Sequence, residues 1–237
     1  MEIKILFDSE AIDMEFSIGW GLSVLINGNI LFDTGERGDY LITNIEKMSI
    51  DIENIDAVVI SHDHWDHTGG LWEIMKRRKG IKVYALPNFN KEFKEKVENL
   101  EGRFLENKNF FEIAKDIFVT GEISGTYNGK YMPEQAIVVK TEKGLTVITG
   151  CSHPGILKIL ETINEEFPEE RFYLVFGGFH LKGSDKRLIN IIVEHFKEMN
   201  IRKVGPTHCT GKETEALFRE KYNDNCISIK VGQVIEV

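Results

Sequence analysis

Apolar residues along this chain switch repeatedly between short continuous runs and helical spacing. Met1 begins a first strand, Met1-Glu2-Ile3-Lys4-Ile5. Residues 22–26 and 29–32 read as two strands around an Asn27-Gly28 turn, a strong hairpin signal. Leu41, Ile42, Ile45 and Met48 then recur at helical spacing. Residues 57–60 (Ala-Val-Val-Ile) predict a strand, and 71–79 a helix that Gly80 can end. A strand over 82–86 stops at Pro87, and a lysine- and glutamate-rich helix follows over 91–100. Residues 136–141 and 145–149 form a second hairpin around Glu142-Lys143-Gly144. Pro154 suits the first turn of a helix reaching Phe167. After the apolar strand 172–176, Leu188, Ile191, Ile192, Phe196 and Met199 mark the core stripe of a long helix. A strand at 203–205, a helix from Lys212 to Tyr222 and a last strand near 227–230 complete the pattern. The class is α/β. Without an internal repeat, low-complexity tract or linker, one domain over 1–237 is the economical reading.

Composition narrows this picture modestly. Of 237 residues, 42% are hydrophobic, enough to bury a substantial core. No apolar segment approaches the roughly 20 residues that span a bilayer, and the first residues read as a strand and not as a signal peptide. The chain is therefore expected in the cytoplasm. Cys151, Cys209 and Cys226 are too few and scattered for a disulfide framework, which agrees with a reducing compartment. A formal net charge of −9 argues against a nucleic-acid groove. The basic run Lys76-Arg77-Arg78-Lys79 lies where it complements a helix dipole.

Chemistry concentrates after the strand 57–60. Ser61-His62-Asp63-His64-Trp65-Asp66-His67 packs three imidazoles and two carboxylates together. Such groups would repel and desolvate one another without a cation. Imidazole nitrogen and carboxylate oxygen suit zinc, iron or manganese, and more than four donors can hold more than one ion. The remaining histidines test the idea. His153, His180 and His208 each follow a predicted strand and are flanked by small residues, and strand ends of α/β sheets collect ligands and catalytic groups. His195 lies near an apolar helical stripe and reads as structural. Asp63 reads as solvated or supporting, and Trp65 as packing.

The stretches Ser61-His62-Asp63-His64-Trp65-Asp66-His67-Thr68-Gly69-Gly70-Leu71, Gly150-Cys151-Ser152-His153-Pro154-Gly155-Ile156, Gly177-Gly178-Phe179-His180-Leu181 and Pro206-Thr207-His208-Cys209-Thr210-Gly211 resemble the metallo-β-lactamase superfamily. Within it they are similar to the metal-dependent hydrolases of β-lactamase superfamily II, a branch that includes 7,8-dihydropterin-6-methyl-4-(β-D-ribofuranosyl)aminobenzene 5′-phosphate synthase-like proteins. The resemblance runs from Asp33 to Gly211. It implies a four-layer αββα sandwich, with two mixed β-sheets and helices outside. It also implies two divalent ions, zinc foremost and iron or manganese as alternatives. His62, His64 and His153 would hold one ion and Asp66, His67 and His208 the other. Asp33, closing Ile30-Leu31-Phe32-Asp33-Thr34-Gly35, would orient the metal loop.

One departure stands out. Many relatives carry a bridging aspartate where this chain has Thr149-Gly150-Cys151-Ser152-His153. His153 is the preferred ligand there; a Cys151 thiolate is the alternative, and it would favour zinc or iron. Cys209 reads as buried packing. The implied activity is hydrolysis of a small anionic phosphate, ester or pterin-type substrate, with Asp66 orienting the nucleophile and His180 donating from the rim. A transferase that joins a dihydropterin pyrophosphate to an arylamine is the alternative. A metal-bound, non-catalytic binding module is the reading from another class. The loop 124–134 is expected to shape access, and Trp20, Trp65, Tyr127, Tyr131 and Phe179 either line a ring pocket or pack the core.

Overall fold

A computed structural model describes all 237 residues. The chain forms two compact units, residues 1–108 with 230–237, and residues 109–229. The first unit begins with strands β1 (Glu2–Phe7), β2 (Ser23–Ile26) and β3 (Ile30–Phe32), then helix α1 (Gly38–Lys47). Strand β4 (Ala57–Val59) leads into the short helix α2 (Trp65–Thr68) and then α3 (Leu71–Arg77). Strand β5 (Lys82–Ala85), helix α4 (Lys91–Asn99) and strand β6 (Arg103–Glu106) follow. Asn27 and Gly28 of the β2–β3 turn both take left-handed backbone, at φ 51° and 77°. These two residue types enter that region at least cost, which is why the hairpin was legible.

The second unit holds β7 (Phe111–Ala114), β8 (Ile117–Val119), a small hairpin of β9 (Thr126–Tyr127) and β10 (Lys130–Tyr131), then β11 (Ile137–Thr141) and β12 (Gly144–Thr149). Helix α5 (Ile156–Glu166), β13 (Phe172–Gly178), α6 (Lys186–Glu198), β14 (Lys203–Thr207) and α7 (Lys212–Tyr222) complete it. The last strand, β15 (Val234–Glu236), belongs to the first unit and pairs antiparallel with β1, Glu2 opposite Glu236.

Each unit is built on one mixed sheet. The first has the order β15-β1-β2-β3-β4-β5-β6, and the second β14-β13-β12-β11-β8-β7. In the first, β3 to β6 run parallel; in the second, β12, β13 and β14 do. The parallel strands β12 and β13 are buried along their whole length, as crossover helices require. Each sheet has its own apolar core. Leu31, Val58 and Ile60 pack with Leu41, Ile45, Leu71 and Ile74 in the first. In the second, Val147, Val175 and Val204 pack with Ile159, Ile163, Ile192 and Phe196. The α/β class and the two mixed sheets with helices are those expected. No helix of the structure is long and apolar enough to cross a membrane.

Three local expectations need correction. Pro154 lies before α5, not in its first turn, because Gly155 takes φ 94° and so breaks helical backbone ahead of Ile156. On α6 the buried set is Ile189, Ile192, Val193 and Phe196, while Leu188 and Ile191 are 45% and 44% exposed. The helix carries more apolar residues than one face can bury, and only the i, i+3, i+4, i+7 set fits the core. Residues 227–230 form no strand. Ile227 donates a single backbone hydrogen bond to Val204, and Gly232 at φ 86° turns the chain into β15 instead.

Candidate metal centre

Both sheets present their chemical groups at the carboxyl ends of parallel strands. In the first unit Asp33 follows β3, and His62 to His67 follow β4. Asp33 is fully buried, and three donors converge on its carboxylate. Ser61 N donates to Oδ1 at 2.7 Å, Ser61 Oγ to Oδ2 at 2.7 Å, and His67 Nδ1 to Oδ2 at 2.6 Å. A carboxylate only accepts, so the His67 proton sits on Nδ1 and the lone pair on Nε2. The Ser61 hydroxyl commits its one proton to the hydrogen bond it donates to Asp33. Its oxygen therefore accepts from His62 Nδ1 at 2.8 Å, which places the His62 lone pair on Nε2 as well. One aspartate thus fixes two imidazoles in the form that binds metal.

The donors lie close together. His62 Nε2 is 3.0 Å from His64 Nδ1, and His67 Nε2 is 3.6 Å from Asp66 Oδ2. Two nitrogens on one tetrahedral zinc stand roughly 3.3 Å apart, given metal–nitrogen bonds of about 2.0–2.1 Å, so this donor set fits an ion. His62, Asp66 and His67 are buried. Thr34 holds the loop from behind, its N and Oγ1 each donating to His67 O at 2.8 Å. Burial pushes the Asp63 carboxyl above the ordinary carboxylate range. Trp65 is 62% exposed and so does not pack the core as expected, because it sits on the outer side of the single-turn helix α2.

In the second unit Cys151 and His153 follow β12, His180 follows β13 and His208 follows β14. Cys151 Sγ lies 3.3 Å from His208 Nε2. The donor atoms of Cys151, His153 and His180 all lie within 4.8 Å of one another. Cross-links stitch the three loops together. Ser152 Oγ donates to Gly178 O at 2.7 Å, and Phe179 N to Thr210 Oγ1 at 3.0 Å. Cys209, buried as read from the sequence, has its Sγ 3.5 Å from Cys151 O. Burial pushes its thiol up, but hydrogen bonding with Cys151 and His180 and the nearby His208 ring outweigh this and hold it well below the usual thiol range. His195 stands apart, exposed on α6, with Nδ1 2.9 Å from Ile191 O.

Glu134 is the residue that sequence reasoning missed. It is fully buried, and its Oε1 accepts from Cys151 N and Ser152 N at 2.8 Å each, its Oε2 from His153 N at 2.9 Å. The signal lay in the β11–β12 register. Ile137 pairs with Ile148, so three steps further along Glu134 faces Cys151. Replacing Glu134 with Gln sets an amide donor against at least one backbone N–H. We expect metal affinity to fall about 10–100-fold, the range for removing a partner that supports a ligand. Competition against a chromogenic chelator checks this, and unchanged affinity would remove Glu134 from the site.

Strain collects at the same places. Asp33, Ser152, His180 and His208 all adopt left-handed backbone, at φ 53°, 66°, 52° and 54°. Sparsely populated conformations of non-glycine residues persist where the surroundings impose them, and they cluster at functional sites.

Comparison with known proteins agrees with this chemistry. The model of the metallo-β-lactamase superfamily matches residues 21–178. A 7,8-dihydropterin-6-methyl-4-(β-D-ribofuranosyl)-aminobenzene-5′-phosphate synthase of Methanocaldococcus jannaschii is 32% identical, over 91% of this chain and 89% of its own. An uncharacterized protein of the same organism is 31% identical, over 99% and 100%. Among solved structures, a metal-dependent hydrolase of the β-lactamase superfamily superposes with a TM-score of 0.83 at 33% identity, covering 100% of this chain and 99% of that one. With its histidine-rich loop at one strand end and this breadth of likeness, the chain belongs to the metallo-β-lactamase superfamily.

Proposed function

We propose that this chain is a metal-dependent hydrolase of small anionic substrates, working through two divalent ions. Zinc is the foremost candidate, and iron or manganese are the alternatives. His62, His64 and His153 hold one ion; Asp66, His67 and His208 hold the other, with Cys151 as a further candidate ligand. The observation that carries the reading is the Asp33–Ser61 network, which turns the Nε2 lone pairs of His62 and His67 outward together. The whole chain acts as one domain, in keeping with a family match that spans residues of both units. Cys151, Cys209 and Cys226 form no disulfide bond, which fits a reducing cytoplasm.

When bound, the ions supply Lewis acidity toward water and substrate oxygen. The protein's own groups do the rest. Asp66 accepts a hydrogen bond from the nucleophile and orients it. His180, exposed at the end of β13, donates to the anionic or leaving oxygen. Glu134 and Asp33 keep the ligand loops in place. The His180 and His208 loops continue into a cavity of about 750 Å³ whose lining includes Lys182, Lys186 and Lys212 beside Glu213 and Glu220.

A second reading has support from likeness. The relative named as a synthase matches 91% of this chain, so a transferase that joins a dihydropterin pyrophosphate to an arylamine is the alternative. Elemental analysis of protein purified without added metal or chelator tests the metal claim; we expect about two equivalents. His64→Ala and Asp66→Asn should each lose metal together with activity. Full metal and full turnover in either variant would remove that residue. A panel of phosphoesters, lactones and thioesters, set beside dihydropterin pyrophosphate with an arylamine, separates hydrolase from transferase. Metal without turnover on any of them would mark a non-catalytic binding module.

A further inference from the structure

We infer that Tyr127 and His180 form a subsite for a planar aryl or heteroaryl ring of the substrate, beside His153; the assignment rests on the metal reading above. Three rings meet there. Tyr127 stands 4.9 Å from His153 and 5.6 Å from His180 between ring centroids, the second pair nearly perpendicular at 82°. His153 and His180 are 4.4 Å apart. Tyr127 is 37% exposed and His180 is exposed, so both offer ring surface to solvent next to a proposed ligand.

The arrangement is built and not incidental. Tyr127 rides on the β9–β10 hairpin, whose turn residues Asn128 and Gly129 take φ 49° and 72°. The base of that hairpin is pressed against the His153–Pro154 peptide. A Cβ on Gly125 would lie 2.7 Å from Pro154 N and 2.9 Å from the His153 carbonyl carbon, so only glycine allows the approach. Lys158 Nζ donates to Ser124 O at 2.7 Å and to Ser124 Oγ at 2.8 Å, and the Tyr131 hydroxyl to Glu122 at 3.0 Å. His180 is equally fixed. Its left-handed backbone is held by Phe179 N on Thr210 Oγ1 before it and Lys182 N on Cys209 O after it. Phe179 itself turns into the core, with Phe196 and Phe218 each 5.6 Å away.

Edge-to-face and offset geometry lets such a ledge accept one more flat ring. An anionic group attached to that ring then falls beside His153 and His180. An aliphatic ring of the same size gains apolar contact but no stacking.

Isothermal titration with phenylphosphonate and cyclohexylphosphonate tests this, since the two carry the same anion on a flat and a puckered ring through a carbon–phosphorus bond that ester hydrolysis does not cleave. The full-length protein is used as purified, with metal content measured on the same sample. We expect phenylphosphonate to bind about tenfold tighter, the scale of one stacked ring. Tyr127→Ala should abolish the preference and Tyr127→Phe should keep it, both with unchanged metal content. Equal affinities in the wild type, no binding of either compound, or a preference that survives Tyr127→Ala would each overturn the subsite. Protein that holds no metal as purified, takes up none on reconstitution and still prefers phenylphosphonate would refute the metal reading and leave the ring subsite standing.

Discussion

Asp33→Asn is expected to strip metal from the His62–His67 loop while leaving the protein folded. The native carboxylate accepts from Ser61 N, Ser61 Oγ and His67 Nδ1 at once. An amide brings one acceptor oxygen and one donor nitrogen, so a donor must face a donor at one end. If the amide nitrogen takes the Oδ2 position, it opposes His67 Nδ1–H and drives that proton to Nε2, where the metal would bind. The Ser61 hydroxyl loses its acceptor in the same event, and with it the restraint on His62. Two ligands are affected by one substitution, so the loss should reach the upper end of the about 10–100-fold range for a supporting partner. Metal affinity by chelator competition, set beside thermal unfolding, separates the effects. An Asp33→Asn protein with wild-type affinity would show that the imidazoles hold their tautomers without Asp33.

The second large effect is one of stability. Gly21 sits at φ 122°, and an added Cβ would stand 2.0 Å from Asp66 O and 3.0 Å from Gly35 Cα. Those neighbours are backbone, so they cannot swing aside as a side-chain tip would. Backbone strain of about 1–3 kcal/mol and overpacking of similar size add, giving about 3–5 kcal/mol for Gly21→Ala. In a chain of this length that lowers Tm by roughly 10 °C, and metal retention should fall because the displaced peptide belongs to Asp66. Gly28→Ala is the control. Gly28 also has positive φ, 77°, but a Cβ there meets nothing within 4 Å, so only strain of about 1 kcal/mol remains. Thermal unfolding of the two variants, followed by circular dichroism, should separate them clearly. Equal shifts would mean that the Gly21–Asp66 approach relaxes without penalty.

What could be read in the sequence was mostly local. The loop after Ala57-Val58-Val59 announced itself because its donors are neighbours in the chain, and the Asn27-Gly28 turn because its conformation is written in two residues. Helix α7 runs from Lys212 to Tyr222 as its pattern indicated. What depends on pairing between distant segments stayed hidden. Glu134 looks like any polar residue until the β11–β12 register brings it opposite Cys151. Arg103–Glu106 and Phe111–Ala114 gave no strand signal because both are partly exposed and lack clean alternation of burial. On α6, surplus apolar residues made several stripes plausible, and only packing chose Ile189, Ile192, Val193 and Phe196.

The pairing of Glu2 with Glu236 has a consequence for how the chain matures on the ribosome. The sheet that begins the sequence stays incomplete until its outermost strand, encoded after everything else in both units, has emerged. Residues 109–229 are continuous and are all synthesised before then. Translation proceeds at about 5–20 residues per second, so the histidine-rich loop is made early yet rests on a sheet that closes last. Nascent chains halted before Val234 should therefore expose the open edge of β1, and chaperone capture would fall on the amino-terminal unit first.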